Sequence, residues 1–270
     1  MEKSILTKFQ INGNVAEIAP LGSGHIHNTY LVKTTSDDDY VLQQVNTRVF
    51  RDPVILMNNI QIVTSHIREK LMRDGSTDLR REVLTLIPTI DDELFIADED
   101  KKIWRCFIYI KGHKTFDNAV GSNQVYEGGK AYGKFLKLLS DLSADNIHET
   151  IKGFHNMELR LRQFDDACKN GLRERINETA DEIDILKTRS EEMLTIRRLG
   201  EQGKIPLRIV HHDTKINNVL YDENDQGLCV IDLDTVMPGY VHDDFGDSIR
   251  TFTNTGDEDD PYLDRISINM

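Results

Sequence analysis

Two short segments constrain this chain more than any others: His211-His212-Asp213-Thr214-Lys215-Ile216-Asn217-Asn218, and then Val230-Ile231-Asp232-Leu233-Asp234. The first follows a short apolar run, LRIV at 207–210, and leads into NNVLYD; the second closes GLCVIDLD, after a polar turn at 223–227. Strand, loop, strand, turn, strand is a hairpin that holds polar groups on rigid supports while the loops expose them. An Asp after a strand accepts a hydrogen bond from a hydroxyl and orients it. An Asn five residues on, across a tight loop, offers a neutral oxygen to a metal ion, and an Asp on the next strand adds an anionic one. Mg²⁺ takes such oxygen ligands and completes its shell with phosphate and water. Phosphoryl transfer asks for this kind of placement and charge neutralisation rather than for covalent chemistry. Taken singly, any of the 46 Asp and Glu residues reads as a solvated charge; the spacing lifts these few above that background.

Charge narrows the partners. A net charge of −13 argues against gripping a long polyanion such as nucleic acid on a broad basic surface, but not against one triphosphate. A 39% hydrophobic and 29% charged composition is that of a soluble globular protein, and 270 residues allow one large domain or two lobes around a cleft. No apolar run reaches membrane-helix length, and MEKSILTKFQ lacks the apolar core of a secretory signal. Cys106, Cys168 and Cys229 have neither metal nor disulfide spacing, which suits reduced, buried thiols and a cytoplasmic location.

The first third reads as strands around one helix. Residues 29–33 (TYLVK) and 40–45 (YVLQQV) are rich in β-formers and joined by a polar turn. Asp52-Pro53 starts a helix, continued at helical spacing by Ile60, Val63, Ile67 and Leu71. Residues 93–97 and 103–110 are strand-like around an acidic turn, and Gly112 begins a crossing to a helical second half. There, Tyr132, Phe135, Leu136 and Leu139 make one apolar stripe and Met157, Leu161, Phe164, Cys168 and Leu172 another, both expected against the lobe core. A charged helix is expected over 176–199.

The loop His211 to Asn218 and the following Ile231-Asp232 resemble the H-x-D-x-x-x-x-N and I-D segments of the aminoglycoside phosphotransferase and choline kinase superfamily. The resemblance implies an α+β, two-lobed, protein-kinase-like fold with an N-terminal antiparallel sheet lobe (1–111, nucleotide-binding) and a mainly helical C-terminal lobe (112–270, catalytic and acceptor-binding). By position it makes Asp213 the catalytic carboxylate, Asn218 and Asp232 the metal ligands, and His211 a brace for the loop. Asp234 reads equally as a third metal carboxylate or a structural acceptor. HDTKINNVLYD, VIDLDTVMPG, DDFGDSIRTFTN, GSGHIHNTYLV and YVLQQVN further resemble the N-acetylhexosamine 1-kinase branch. That branch implies ATP, Mg²⁺ and the anomeric hydroxyl of an amino sugar, with Asp247 and Arg250 as acceptor contacts or an internal ion pair; His27 is a further acceptor candidate that reads otherwise as a surface histidine. The Asp244-Phe245-Gly246 tripeptide comes after Asp232 in the chain and is not equated with a metal-binding D-F-G.

For the nucleotide, Gly22, Ser23 and Gly24 form a turn whose amides can approach phosphates, or an ordinary hairpin turn. The strand Trp104 to Ile110, followed by Lys111-Gly112, is the candidate adenine hinge, with Tyr109 on it. Protein kinases carry a Lys on the third strand; here Gln43 and Gln44 stand there, and sequence does not decide whether Lys33 or Arg48 compensates. Members of the branch continue with further helices, so an end at Met270 reads as a truncated chain or a natural short form. The competing readings are a kinase for another small alcohol (an aminoglycoside, choline or an amino alcohol) and a non-catalytic, pseudokinase-like binding protein.

Overall fold

The structure is a computed structural model, described for residues 2–22, 26–118, 121–256 and 267–268. After a short helix, α1 (Glu2–Leu6), the chain builds β1 (Val15–Pro20), β2 (Asn28–Thr34) and β3 (Tyr40–Val45). Helices α2 (Pro53–Arg73) and α3 (Leu79–Glu82) follow, then β4 (Leu86–Ile87), β5 (Ile96–Ala97) and β6 (Ile103–Ile108). These strands form one antiparallel sheet, in the order β1-β2-β3-β6-β4, with β5 also on β6. The expected strand at 93–97 is reduced to its last two residues.

Alternation along the strands sorts the sheet into two faces. Tyr40, Leu42, Trp104 and Cys106 pack with Ile5, Leu6 and Phe9 on the outer face. Val41, Gln43, Val45, Ile103, Arg105 and Phe107 point the other way, towards α2 and the cleft. Gln43 is the direct cross-strand partner of Arg105.

Helix α2 begins where Asp52 caps it, accepting from Val54 N and Ile55 N at 3.0 and 3.1 Å. Its buried face includes Leu56, Ile60, Val63, Ile67 and Leu71, each contributing about 1.5–3 kcal/mol relative to exposure. The same apolar cluster continues through Tyr132, Phe135 and Leu139 into Val219, Tyr221 and Val230, so one core runs beneath both halves.

The second half holds α4 (Ser122–Leu138) and α5 (Met157–Asn170), then α6 (Arg173–Glu178), α7 (Ala180–Met193) and α8 (Thr195–Glu201). The single charged helix expected over 176–199 is thus three, broken at Thr179 and Leu194. The α5 stripe does not reach the lobe core either: none of its residues is fully buried, and Leu172 is exposed. These helices pack mainly on one another, which is why their apolar faces stay half-covered. Strands β7 (Arg208–Val210), β8 (Val219–Tyr221), β9 (Gly227–Val230) and β10 (Met237–Gly239) form two antiparallel pairs, β7 with β10 and β8 with β9. Helix α9 (Val241–Thr253) follows. Cys106 and Cys229 are buried and Cys168 half-buried; burial pushes the Cys229 thiol up to about 12. Among the described residues, no helix is long and apolar enough to cross a membrane.

Candidate active site

Between the sheet and the second half lies a cavity of about 330 Å³. Its walls include Gly22, Gln43 and Tyr109 from the sheet side, and Asn217, Asn218, Asp232 and Asp234 from below. Arg105 and His113 also line it. The expected nucleotide and metal residues are therefore gathered in one place, apart from Ser23 and Gly24, which lie outside the described residues. Gly22 adopts φ +78°, a left-handed conformation suited to glycine.

The loop from His211 to Asn218 is held by two helices, α9 and α4. Asp244, buried in the first turn of α9, accepts from His211 N at 2.8 Å and His212 N at 2.7 Å. Asp247, one turn on, accepts from Thr214 N at 2.7 Å, and Thr251 Oγ1 donates to Thr214 O at 3.1 Å. From α4, the Tyr132 hydroxyl donates to Lys215 O at 2.8 Å. Burial raises the Asp244 carboxyl, with His211 and the two amides opposing.

His211 is fully buried and braces the loop. Its Nδ1 accepts from Asp213 N at 3.3 Å, so Nε2 carries the proton and donates to Ile231 O at 2.9 Å. That second bond ties the loop to the strand end bearing Asp232. Asn218 Nδ2 donates to Asp213 O at 2.9 Å and Asp213 Oδ2 at 3.1 Å, which leaves its amide oxygen as its contribution to the cavity. Asp213 stands beside the cavity, linked to it through Asn218.

Asp232 takes a left-handed backbone, φ +57° and ψ +60°, and is accessible from the cleft. The protein around it desolvates its carboxyl, and the nearby Asp234 and Asp213 carboxylates repel its charge, together raising it to about 6. A divalent cation beside this carboxylate would offset that repulsion. Asn217 Oδ1, at the same cavity, is buried with no partner. This donor set of two amide oxygens and a carboxylate fits a hard divalent ion such as Mg²⁺.

Asp234 is a different group. Arg105 donates to it twice, at 2.5 and 2.9 Å, and His27 Nε2 at 2.5 Å. Burial would raise its carboxyl, but the Arg105 charge and the His27 bond hold it well below the usual carboxylate range. Of its two readings, the geometry supports the structural one. His27 is correspondingly displaced from the expected acceptor role. Its Nδ1 accepts from Asn46 N at 3.0 Å and its ring stacks on Phe50, so both nitrogens are spent inside the protein. Asp247 and Arg250 likewise bond each other, at 2.8 and 3.1 Å, while Asp247 holds the loop. Of their two readings, that is the internal pair.

Lys33 does not compensate for the missing strand lysine, because it points away and bonds Glu17 at 2.8 Å. Two cations do stand near the cavity, and both escaped the sequence reading. Arg105 lies one strand over from Gln43, and its Nε donates to Gln43 Oε1 at 3.0 Å. Lys215 Nζ lies 3.4 Å from Asp213 Oδ1. The signal for Lys215 was its place two residues after Asp213. An Arg in the middle of IWRCFI signalled Arg105, but only its cross-strand register gave it meaning.

The family model described as the phosphotransferase enzyme family matches residues 17–267. The chain belongs to this family. Solved structures similar to the phosphotransferase include a microcompartment-associated aminopropanol kinase (20% identity, TM-score 0.63, 92% of this chain and 73% of that one). An aminoglycoside phosphotransferase from Alicyclobacillus acidocaldarius subsp. acidocaldarius DSM 446 superposes at TM-score 0.61 with 13% identity, over 93% and 70% of the two chains. Spectinomycin phosphotransferase APH(9)-Ia, in complex with ADP and spectinomycin, superposes at 0.54 with 14% identity, over 90% and 70%. At these identities the likeness establishes the fold, a kinase-like sheet lobe over a helical lobe.

Proposed function

We propose that this phosphotransferase moves the γ-phosphoryl group of ATP to a hydroxyl of a small molecule. The observation that carries the proposal is the Asp213–Asn218–Asp232 set, held at one cavity by α9, His211 and Tyr132. Asp213 accepts the hydrogen bond of the incoming hydroxyl and orients its oxygen in line. Asn218 fixes the Asp213 carboxylate through Nδ2. Asn218 and Asp232 would hold Mg²⁺, which supplies charge neutralisation at the triphosphate. Lys215, beside Asp213, adds positive charge where the transferred group passes. The backbone after β6, at Tyr109, meets the base, and Gly22 lets the β1–β2 turn approach the phosphates.

For the acceptor, resemblance of the catalytic and α9 segments to the N-acetylhexosamine 1-kinases supports the anomeric hydroxyl of an N-acetylated hexosamine. The second reading, an amino alcohol or aminoglycoside, is favoured by the aminopropanol kinase and spectinomycin phosphotransferase among the similar folds. A panel of GlcNAc, GalNAc, aminopropanol, choline and spectinomycin with Mg-ATP separates the two. Asp213→Asn tests the mechanism: turnover on the preferred acceptor should fall about 10²–10⁴-fold with nucleotide binding retained. Undiminished turnover refutes the role of Asp213. Nucleotide binding without turnover on any acceptor favours the pseudokinase-like alternative.

A further inference from the structure

The catalytic loop carries a second histidine that the reaction does not use. His212 has a left-handed backbone, φ +66°, which turns its side chain away from its neighbours in the loop and over β10. The ring is buried, only 5% exposed. Its Nε2 faces Pro238 O at 3.4 Å, and a Cβ at Gly239 would fall 2.6 Å from that nitrogen, so this edge of the ring is closed by backbone. Nδ1 is also buried and has no hydrogen-bond partner at all. A buried polar atom without a partner costs about 1–3 kcal/mol, and proteins rarely leave one in place without a use for it.

Two further ligand-type groups stand beside this ring. The His155 ring lies 4.8 Å from the His212 ring, centroid to centroid, at an interplanar angle of 67°. Asp243 stands in the first turn of α9, where one of its oxygens accepts from Tyr240 N at 3.1 Å. One ligand atom from each of His155, His212 and Asp243 lies within 4.8 Å of the other two. With Nε2 turned to the Pro238 carbonyl as donor, the ring proton sits there and Nδ1 presents its lone pair.

We infer that His155, His212 and Asp243 form a site for a Zn²⁺-class divalent ion, separate from the Asn218–Asp232 site. Two imidazoles and a carboxylate are the ligands of zinc, whereas Mg²⁺ favours oxygen alone. Bonds near 2.0–2.1 Å in a tetrahedron place ligand atoms about 3.4 Å apart. Closing a 4.8 Å spacing to that value needs about 1.4 Å of movement, for which His155, exposed on the segment before α5, has room. The Tyr240 N–H on Asp243 is the kind of outer contact that orients a metal-binding carboxylate. Three protein ligands leave a fourth position for water. A bound ion ties together the chain before α5, the start of α9, and the residue next to Asp213. It is therefore a clamp on the catalytic loop.

The test uses untagged, chelator-treated full-length protein titrated with Co²⁺, read by its visible absorption, and then with Zn²⁺ in competition. Excess Mg²⁺ is present throughout. One high-affinity equivalent is expected in the wild type and in Asp232→Asn, with affinity at least tenfold weaker in His155→Ala and in Asp243→Asn. Zn²⁺ should also raise the melting temperature of the wild type and not that of His155→Ala, whose exposed position keeps the fold safe. Equal affinity in the wild type and His155→Ala overturns the inference. So does loss of the signal in Asp232→Asn, which would place the ion at the nucleotide site instead.

Discussion

Replacing Asp234 by Asn is the sharpest perturbation of the cleft floor. The Arg105 and Asp234 side chains are each 2% exposed, and the guanidinium gives both of its terminal nitrogens to this carboxylate. Asn keeps the shape and removes the charge, which leaves a buried guanidinium without its paired carboxylate, held by the Gln43 bond and the new amide. Breaking a buried pair from one side costs about 3–5 kcal/mol. In a chain of this size each kcal/mol moves the melting temperature by about 2–4 °C, so a drop of roughly 10 °C is expected by calorimetry at neutral pH. The companion variant removes both charges, Arg105→Met with Asp234→Leu. Because paired burial is nearly neutral against well-packed apolar groups, this double variant should regain more than half of the loss. Full recovery is not expected, since His27 and Gln43 keep unpaired polar atoms. An Asp234→Asn protein that melts within about 2 °C of the wild type refutes the reasoning.

Three further outcomes follow from the same contacts. Asp244→Asn retains one acceptor oxygen for the two loop amides, so kcat should fall while the KM for ATP changes little. Amide hydrogen exchange at His211 and His212 should rise in that variant, a readout that separates loosened positioning from general unfolding. Gly239→Ala puts a Cβ 2.4 Å from His212 Cε1 and 2.7 Å from Val210 Cγ2; it should cost about 1–3 kcal/mol in denaturant unfolding and lower turnover through the displaced loop. Asp52→Ala should cost about 1 kcal/mol by losing the α2 cap, with turnover unchanged.

The sheet lobe was legible wherever a strand wrote its alternation into side-chain type. Residues 29–33 and 40–45 fall within β2 and β3, and Asp52-Pro53 marks the start of α2. The spacing from His211 to Asn218 and on to Asp232 identified groups that the fold gathers around one cavity and its edge. Features decided by partners distant in the chain stayed hidden. His27 looked like an acceptor contact until Asp234, 207 residues later, took its Nε2. Asp247 read as an acceptor contact or half of an ion pair, and Asp244 carried no role, because the loop amides they hold lie about 30 residues earlier. The helix breaks at Thr179 and Leu194 carry no glycine or proline, and only the packing of α5 on α7 and α7 on α8 exposes them.

The alternation along β6 also restricts how this lobe can change. Arg105 reaches the cleft only because Trp104 and Cys106 face the other way. A slip of one residue against β3 would carry the guanidinium into the apolar outer cluster and swing the indole into the cavity, inverting both faces together. No half-measure exists between the two registers, so length variation ahead of β6 has to be absorbed in the acidic turn at 98–101. Insertions there should be neutral when the turn takes them up whole, and ruinous when a single residue leaks into the strand.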